Sequence, residues 1–321
     1  MPTSKSADAP HDAPILVTMG EPAGIGPEVA VAAFRALGGR IGGRPLRLVG
    51  DAGVFRSCGD IPAAAIVATE AKAVRAPSRP DAGNAAATAE AISLAVEMAM
   101  RGGAGAVVTA PINKAVLMQA GFAFPGHTDF LAHLTGAPRA VMMLASDELR
   151  VIPLTVHIPL AAVPGAIDER SIFETAEIVL AALQRDFAVE NPRLAVAGLN
   201  PHAGEEGALG REENEIIAPA IAALRRRGHA VLGPLPSDTM FHAEARARYD
   251  AALCMYHDQA LIPIKTLSFW QGVNVTLGLP IVRTSPDHGT AFDIAGKDLS
   301  DPRSMIAAIE MAAKIADARA Q

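Results

Sequence analysis

The amino-acid sequence predicts an α/β fold with a mostly parallel sheet. Short aliphatic runs alternate along the chain with alanine-rich segments whose apolar residues recur every three or four positions. Alternation of strand and helix is typical of helical layers packed on a parallel sheet. The chain has 321 residues, enough for about two domains of roughly 150 residues each.

The individual elements follow from that alternation. The predicted strands are short apolar runs, at residues 15–19, 46–49, 106–109, 150–156, 193–199 and 251–256. The predicted helices are amphipathic segments, at residues 85–100, 169–186, 213–227 and 302–320. Since neither a repeat nor a low-complexity linker separates these elements, we expect two interleaved lobes with a boundary near residues 124–126.

The composition predicts a folded protein that does not bind nucleic acid. Half of the residues are apolar and 19% are charged, which favours a large packed core over a disordered chain. The formal net charge of −6 and the aromatic content of 4% provide neither a basic surface nor stacking platforms for nucleic acid. Any recognition of phosphate or carboxylate must therefore be local.

Nothing in the sequence indicates export or membrane insertion. Residues 1–13 lack the apolar core of a secretory signal, and the uncharged stretch 151–167 contains three prolines and is shorter than the ~20 residues of a membrane span. Cys58 and Cys254 form no CxxC pair, which excludes a cysteine zinc knuckle and leaves a disulfide between them open. We expect a reduced, soluble, cytoplasmic protein with neither a nucleic-acid nor a membrane partner.

Polar motifs follow four of the predicted strands, and they read GEPAGIGPE, TAPINK, LNPHAGEEG and YHDQ. Ligands of open parallel sheets bind beyond the carboxyl ends of the strands. The sequence therefore predicts a functional site at this edge of the sheet.

The first of these motifs lies between a strand and a helix, with Pro27 at a plausible first helical position. Its backbone N–H groups could bind a phosphate, or the segment could be a purely structural turn. It matches neither GxGxxG nor GxxxxGK[ST], so the usual nucleotide fingerprints are absent.

Two further motifs contain hydrogen-bond donors. Lys114 of TAPINK is interpreted as a solvated helix residue. In GHTDF, His127 and Thr128 can donate to a substrate phosphate or carboxylate. The alternative is that Thr128 or Asp129 caps the helix that follows.

Three histidines share one setting, because His157, His202 and His257 each come at or just after the end of a predicted strand. Strand ends at one sheet edge converge in space, and three neutral imidazoles form a good ligand set for a divalent metal. The alternative is that each histidine is an ordinary residue of the core whose hydrogen bonds are satisfied within the protein. Asp238 and Asp258 are candidates for orienting these histidines or for further ligation.

A cationic group is predicted in the C-terminal third. Lys265, Asn274 and Arg283 are spaced nine residues apart, and we expect them in loops broken by glycine and proline. An ammonium, an amide and a planar guanidinium that converge would bind a doubly charged phosphate. The alternative is three unrelated surface groups.

Taken together, the motifs resemble the 4-hydroxythreonine-4-phosphate dehydrogenase family of pyridoxal phosphate biosynthesis. MGEPAGIGPE, TAPINK, GHTDF, LNPHAGEEG, MYHDQ, GVNVTLGLP and RTSPDHGTAFDIAG occur in the family's order, from about residue 15 to the C-terminus. The segment 268–271 departs from the pattern, since many relatives carry charged residues there.

The resemblance implies two α/β/α lobes with a central cleft, similar to the isocitrate and isopropylmalate dehydrogenase fold. We expect residues 1–125 plus 302–321 to form one lobe, and residues 126–301 to form a second lobe that carries the metal and substrate residues. The resemblance also implies a homodimer with a shared active site and binding of NAD or NADP without a Rossmann fingerprint.

The resemblance assigns roles to individual residues. It implies one divalent ion (zinc, magnesium or cobalt) held by His157, His202 and His257, the last donated by the partner protomer. The implied substrate-binding residues are His127, Thr128, Lys265, Asn274 and Arg283. Asp238 matches a family aspartate near the substrate. Lys265 and Asp238 are both candidates for the catalytic group that accepts the hydroxyl proton, and the sequence does not decide between them.

The reaction that the resemblance implies is oxidation of the C3 hydroxyl of 4-phosphooxy-threonine, then decarboxylation to 3-amino-2-oxopropyl phosphate. The alternatives are a related dehydrogenase of threonate phosphate, erythronate phosphate or a cis-dihydrodiol, and a catalytically silent protein that binds a phosphorylated metabolite.

Overall fold

Apolar runs form the strands and alanine-rich segments form the helices, as the alternation predicts. The computed structural model describes residues 10–124 and 126–320. Residues 1–9 of the N-terminal segment 1–13 and residue 125 of the predicted lobe boundary lie outside these ranges.

The strands are β1 (Ile15–Thr18), β2 (Arg40–Ile41), β3 (Arg44–Gly50), β4 (Ile66–Ala68), β5 (Ala106–Val108), β6 (Val141–Ala145), β7 (Arg150–Pro153), β8 (Arg193–Ala197), β9 (Ala230–Leu235), β10 (Ala251–Cys254), β11 (Val273–Leu277) and β12 (Arg283–Pro286). The α-helices are α1 (Gly26–Ala36), α2 (Ala52–Cys58), α3 (Ala85–Met100), α4 (Lys114–Gln119), α5 (His127–Thr135), α6 (Val163–Ala166), α7 (Glu169–Phe187), α8 (Ala218–Arg226), α9 (Ala243–Arg246), α10 (His257–Leu267) and α11 (Arg303–Arg319). This element order is that of an α/β protein, and the predicted fold class is confirmed.

The chain divides into two compact units, one made of residues 1–140 and 273–321 and the other of residues 141–272. These bounds differ from the predicted lobes, because residues 126–140 and 273–301 belong to the first unit. The reason lies in strand pairing and helix packing. β12 runs parallel to β5, β11 runs antiparallel to β12, and α5 packs on α3.

The sheet of the first unit has the order β2-β3-β1-β5-β12-β11, with β4 beside β3. β1 lies between two parallel neighbours, so that Ile15 pairs with both Leu46 and Ala106. Such a strand is covered on both faces, and all four of its residues are buried. Helix α3 covers one face through Ile92 and the alanines beside it.

The sheet of the second unit has the order β6-β7-β10-β8-β9. β7, β10, β8 and β9 are parallel, and only β6 runs antiparallel to its neighbour. Helix α10 packs on β7 and β10, and its buried Ile264 joins the core that includes Ala252. The carboxyl ends of β7, β10 and β8 therefore lie side by side at one edge.

Most predicted elements are confirmed with shifted ends. Ala85–Met100 forms a helix over the predicted range, and the helix predicted at 213–227 begins with a π-helical turn at Glu213–Ile217. The strands that were not predicted from the sequence are β2, β4, β6, β9, β11 and β12. The prediction that Lys265, Asn274 and Arg283 lie in loops is wrong, since they lie on α10, β11 and β12.

The structure also shows the state of the two cysteines and the character of the helices. Cys58 and Cys254 are both free thiols, so the disulfide left open by the sequence does not form. Within the described residues, no helix is both long and apolar enough to span a membrane.

Candidate active site

Three histidine-bearing loops leave one edge of the second unit's sheet. His157 follows β7, His257 begins α10 directly after β10, and His202 follows β8. Because β10 lies between β7 and β8 and all three strands are parallel, the three loops start side by side. The sheet topology thus puts the histidines at a common edge, as the sequence predicts.

Two of these histidines are close together. The ring centroids of His157 and His257 lie 5.6 Å apart. Two imidazoles bound to one zinc ion at ~2.1 Å place their ring centroids on the order of 5 Å apart. Nδ1 of His257 lies 2.7 Å from Oδ1 of Asp258, which orients the ring and leaves Nε2 for a metal. The imidazoles of His157 and His257 are therefore spaced as two ligands of one divalent ion would be.

The loop that carries His202 has unusual backbone geometry. Residues 202–206 all have positive φ angles, although only Gly204 lacks a side chain. Left-handed backbone costs roughly 1–2 kcal/mol per non-glycine residue, so other contacts must hold the loop. His157 also has a positive φ of 54°. Strain of this kind concentrates at functional sites.

Glu213 supplies the contacts that hold this loop. Its buried Oε1 accepts hydrogen bonds from the backbone amides of Leu199 and Asn200, each at 2.7 Å. A Cβ atom at Gly204 would come within 2.5 Å of Oε2 of Glu213. Only glycine therefore fits at residue 204.

The described residues of one chain do not form a three-ligand metal site. In residues 10–124 and 126–320, no group of three or more histidine, cysteine, aspartate or glutamate side chains is placed to hold a metal ion. Large apolar side chains are exposed on the elements that carry these histidines. The exposed large apolar side chains on the loops after β7 and β8 and on α10 are Val156, Ile158, Leu160, Leu209 and Ile262.

Part of the predicted cationic group, Asn274 and Arg283, lies in the first unit. The buried guanidinium of Arg283 donates to the hydroxyls of Thr109 and Thr276, the latter at 2.8 Å. No carboxylate of the described residues pairs with Arg283. Burial lowers the pKa of Arg283 to about 9, so the side chain is still charged at pH 7.

His127 lies beside this arginine. Its Nε2 atom is buried and has no hydrogen-bond partner among the residues that the structure describes. Desolvation lowers the pKa of His127 well below 6.5, and the charges of Arg283 and Lys114 lower it further. His127 is therefore neutral at pH 7, with a buried ring nitrogen available to a ligand.

The N-terminus of α5 completes this group. Gly126 is the N-cap residue and no side chain caps the helix, so the alternative that Thr128 or Asp129 is a cap is wrong. Lys114 is an exposed helix residue, as the sequence predicts. Its Nζ atom nevertheless lies close to Gly126, at 3.3 Å from the position that a Cβ atom would occupy there. Thr128 is the second residue of α5.

The remaining predicted site residues are distributed over both units. Asn274 is half-buried on β11 in the first unit with Arg283. Lys265 is half-buried on α10, two turns beyond His257, and Asp238 is exposed in the turn Ser237–Thr239. Among the described residues, no hydrogen bond or ion pair joins Asp238 to the three histidines. Asp258, not Asp238, orients a histidine.

The glycine-rich turn after β1 has a structural role. The amides of Glu21, Ala23, Gly24 and Ile25 are all hydrogen-bonded, to Pro111, Glu21, Glu21 and Thr290 respectively. These four donors are occupied within the protein, which favours the structural alternative over phosphate binding. Sequence reasoning missed Thr109, Glu213 and Gln259 as contributors to these sites, although Thr109 and Gln259 lie in motifs that it singled out.

Comparisons with known proteins identify relatives over nearly the whole chain. The family model described as pyridoxal phosphate biosynthetic protein PdxA matches residues 50–312. The chain is 52% identical to a 4-hydroxythreonine-4-phosphate dehydrogenase of Roseobacter denitrificans, over 96% of this chain and 98% of that protein.

Solved structures also include similar proteins over nearly the whole chain. A 4-hydroxythreonine-4-phosphate dehydrogenase from Klebsiella pneumoniae is 38% identical, with a TM-score of 0.84, over 95% of this chain and 99% of that one. A terephthalate 1,2-cis-dihydrodiol dehydrogenase from Burkholderia xenovorans is 30% identical, with a TM-score of 0.67, over 94% and 98% of the two chains.

Proposed function

Because this chain belongs to the PdxA family of pyridoxal phosphate biosynthetic proteins, we propose that it is the dehydrogenase that oxidises 4-phosphooxy-threonine at its C3 hydroxyl. The chain is an oxidoreductase by that membership. The proposed reaction moves a hydride from C3 to NAD or NADP and a proton to the protein. The resulting β-keto acid then loses carbon dioxide and leaves 3-amino-2-oxopropyl phosphate.

The observation that carries the proposal is the buried cation of Arg283 without a carboxylate partner. Buried charges in proteins are paired or bound to ligands, because an isolated one is costly. Together with the unpartnered Nε2 of His127, this arginine provides a site that a phosphate dianion would complete. Thr128, Asn274 and the exposed Lys114 are further donors in the same unit, and we assign Lys265 to the substrate as well.

We assign the metal to His157, His202 and His257. A divalent ion (zinc, magnesium or cobalt) bound there would supply Lewis-acid stabilisation of negative charge on substrate oxygens. The orientation of His257 by Asp258 supports this assignment whichever protomer donates His257. The 5.6 Å separation of the His157 and His257 rings supports it where both ligands come from one chain. The chain's own contribution is to hold the imidazoles in place before substrate binds.

We propose a homodimer in which His157 and His202 of one protomer and His257 of the other share an ion. The described part of one chain has no three-ligand group, and this supports sharing. The exposed apolar residues around the histidines support a protein interface at this edge. The close pair His157 and His257 favours a second arrangement, in which these two ligands come from one chain and His202 from its partner.

Two side chains are candidates for accepting the hydroxyl proton. Lys265 lies on the helix that His257 begins, and Asp238 lies in an exposed turn of the same unit. A lysine acts as a base only when its pKa is lowered towards the operating pH. An aspartate is ionised at pH 7 without such tuning. The nicotinamide supplies the hydride acceptor, and we assign no residue to its binding.

The likeness to a cis-dihydrodiol dehydrogenase favours one further candidate activity, on a non-phosphorylated diol. Threonate and erythronate phosphates are alternatives that would use the same cationic group. The test is steady-state formation of NADH or NADPH from each substrate, with unphosphorylated 4-hydroxythreonine as the matched control. Preference for 4-phosphooxy-threonine supports the proposal. Equal rates with the unphosphorylated compound, or turnover of the diol alone, contradict it.

A further inference from the structure

The buried side chain of Gln259 connects two of the histidine-bearing loops. Gln259 is the third residue of α10 and is 7% exposed. Its Oε1 accepts a hydrogen bond from the backbone amide of Met255 at 2.6 Å, and its Nε2 donates to the carbonyl of Gly198 at 2.7 Å. Met255 directly follows β10, and Gly198 directly follows β8.

This bridge lies where the strand pairing ends. The ladder between β10 and β8 runs to the pair Leu253 and Val196. Beyond that pair the two backbone segments lead to different histidines. The segment after β10 leads through Met255 to His257, and the segment after β8 leads through Gly198 to His202. Gln259 therefore maintains the separation of the two backbones after their own hydrogen bonds have stopped.

The third loop, which carries His157, is hydrogen-bonded to the same residue, Met255. The hydroxyl of Thr155 donates to the carbonyl of Met255 at 2.8 Å, two residues before His157. On the other side, Glu213 holds Leu199 and Asn200, which directly follow Gly198. One buried network thus runs through all three loops, and Gln259 is its central member.

The amide group is chemically required at this position. It must accept one hydrogen bond and donate another, which a carboxylate or a thioether cannot do. Losing the donor would leave the buried carbonyl of Gly198 without this partner, at an energetic cost that favours movement of the loop.

From these contacts we infer that Gln259 is a positioning residue of the metal sites, which holds the backbone leading to His202 and the backbone leading to His257 in place within each chain. The inference rests on the proposed role of these histidines as metal ligands. It holds in either protomer arrangement, because each histidine is positioned by its own chain.

The test is cobalt binding by the full-length protein, measured from the visible absorption of bound Co²⁺. The variant Gln259→Glu keeps the size and the acceptor but removes the donor. We expect its affinity for Co²⁺ to fall about tenfold or more, within the ~10–100-fold range for groups that orient metal ligands. We also expect an altered cobalt spectrum, which a purely structural role would not produce.

A matched control is available on the same unit. Gln184 also donates from Nε2 to a backbone carbonyl, that of Glu190, but at an exposed position. Gln184→Glu makes the same chemical change away from the histidines and should leave the cobalt affinity and spectrum unchanged. If Gln259→Glu does not fold, Gln259→Met replaces it, since this variant loses both hydrogen bonds without burying a charge.

The outcomes separate this inference from the proposed function. If the wild-type protein binds no Co²⁺, the proposed metal site fails and the inference with it. If the wild type binds Co²⁺ and the folded Gln259 variants match its affinity and spectrum, the inference alone is overturned. Failure of both variants to fold would make Gln259 a core residue only, and would overturn the inference as well.

Discussion

Arg283 donates from Nε to the hydroxyl of Thr109 at 3.2 Å, so a buried cation meets a neutral side chain in a place where proteins usually supply a carboxylate. The hydroxyl satisfies hydrogen bonding but leaves the positive charge without compensation. Nearby, Nε2 of His127 is buried and has no hydrogen-bond partner within residues 10–124 and 126–320. Both features are explained if an anionic ligand completes the site.

The first prediction concerns Arg283. Truncating one partner of a desolvated charge pair typically costs ~2–5 kcal/mol, so Arg283→Ala should raise the KM for the phosphorylated substrate at least ~30-fold. The KM for NAD should change little. Steady-state kinetics with each substrate varied in turn measures both values. The exposed Arg226→Ala is the control, and a selective effect on the KM for NAD would contradict the assignment.

The second prediction concerns the pH dependence of stability. Burial lowers the pKa of His127 in the folded protein well below its unfolded value of about 6.5. Between these two values the unfolded state binds more protons, so acidification destabilises the fold, and stability rises with pH up to about 6.5. His127→Gln should therefore lose less free energy of unfolding than the wild type does between pH 7.5 and 5.5.

Urea denaturation at the two pH values measures this difference. The exposed His242→Gln provides the control and should behave like the wild type. An acid sensitivity of His127→Gln equal to that of the wild type would show that His127 is not held neutral in the folded state.

The third prediction concerns the metal. Chelation should lower kcat at least ~100-fold, because several kcal/mol of charge stabilisation depend on the ion and each 1.36 kcal/mol corresponds to a factor of ten. Adding zinc, cobalt or magnesium back should restore activity. Turnover by metal-stripped protein, checked by elemental analysis, is the measurement. Undiminished activity in such a preparation would refute the metal assignment.

The fourth prediction distinguishes the two arrangements of a shared site. His157→Ala and His257→Ala are each expected to be inactive. If His257 comes from the partner, a mixed dimer of these variants keeps one complete site and recovers up to about half of the wild-type activity. A mixture of His157→Ala with His202→Ala then stays inactive.

The other arrangement reverses this pattern. If His157 and His257 act in one chain, as their 5.6 Å separation favours, the first mixture stays inactive and the mixture with His202→Ala recovers activity. Subunit exchange is verified by mass spectrometry of tagged chains. No recovery in either mixture after verified exchange would rule out sharing.

Sequence reasoning identified the histidines better than it identified their supports. His157, His202 and His257 could be singled out because each follows a recognisable strand, and parallel strands end at one edge. Glu213 and Gln259 could not be singled out for their roles. A glutamate in a helical segment is usually solvated. Only the packing of α10 and of the turn Glu213–Ile217 shows that these two side chains are buried against loop amides.

The sequence by itself determined the α/β class, the positions of half of the described strands and of helices α3, α7, α8 and α11, and the residue types that chemistry needs, because these depend on local periodicity and on motifs of adjacent residues. Tertiary structure alone decided that Asn274 and Arg283 lie on strands of the first unit, separate from the histidines in the second. That outcome depends on which strands pair across more than a hundred residues, as β12 does with β5. Such pairing is set by long-range burial and hydrogen bonding, and no window of neighbouring residues encodes it.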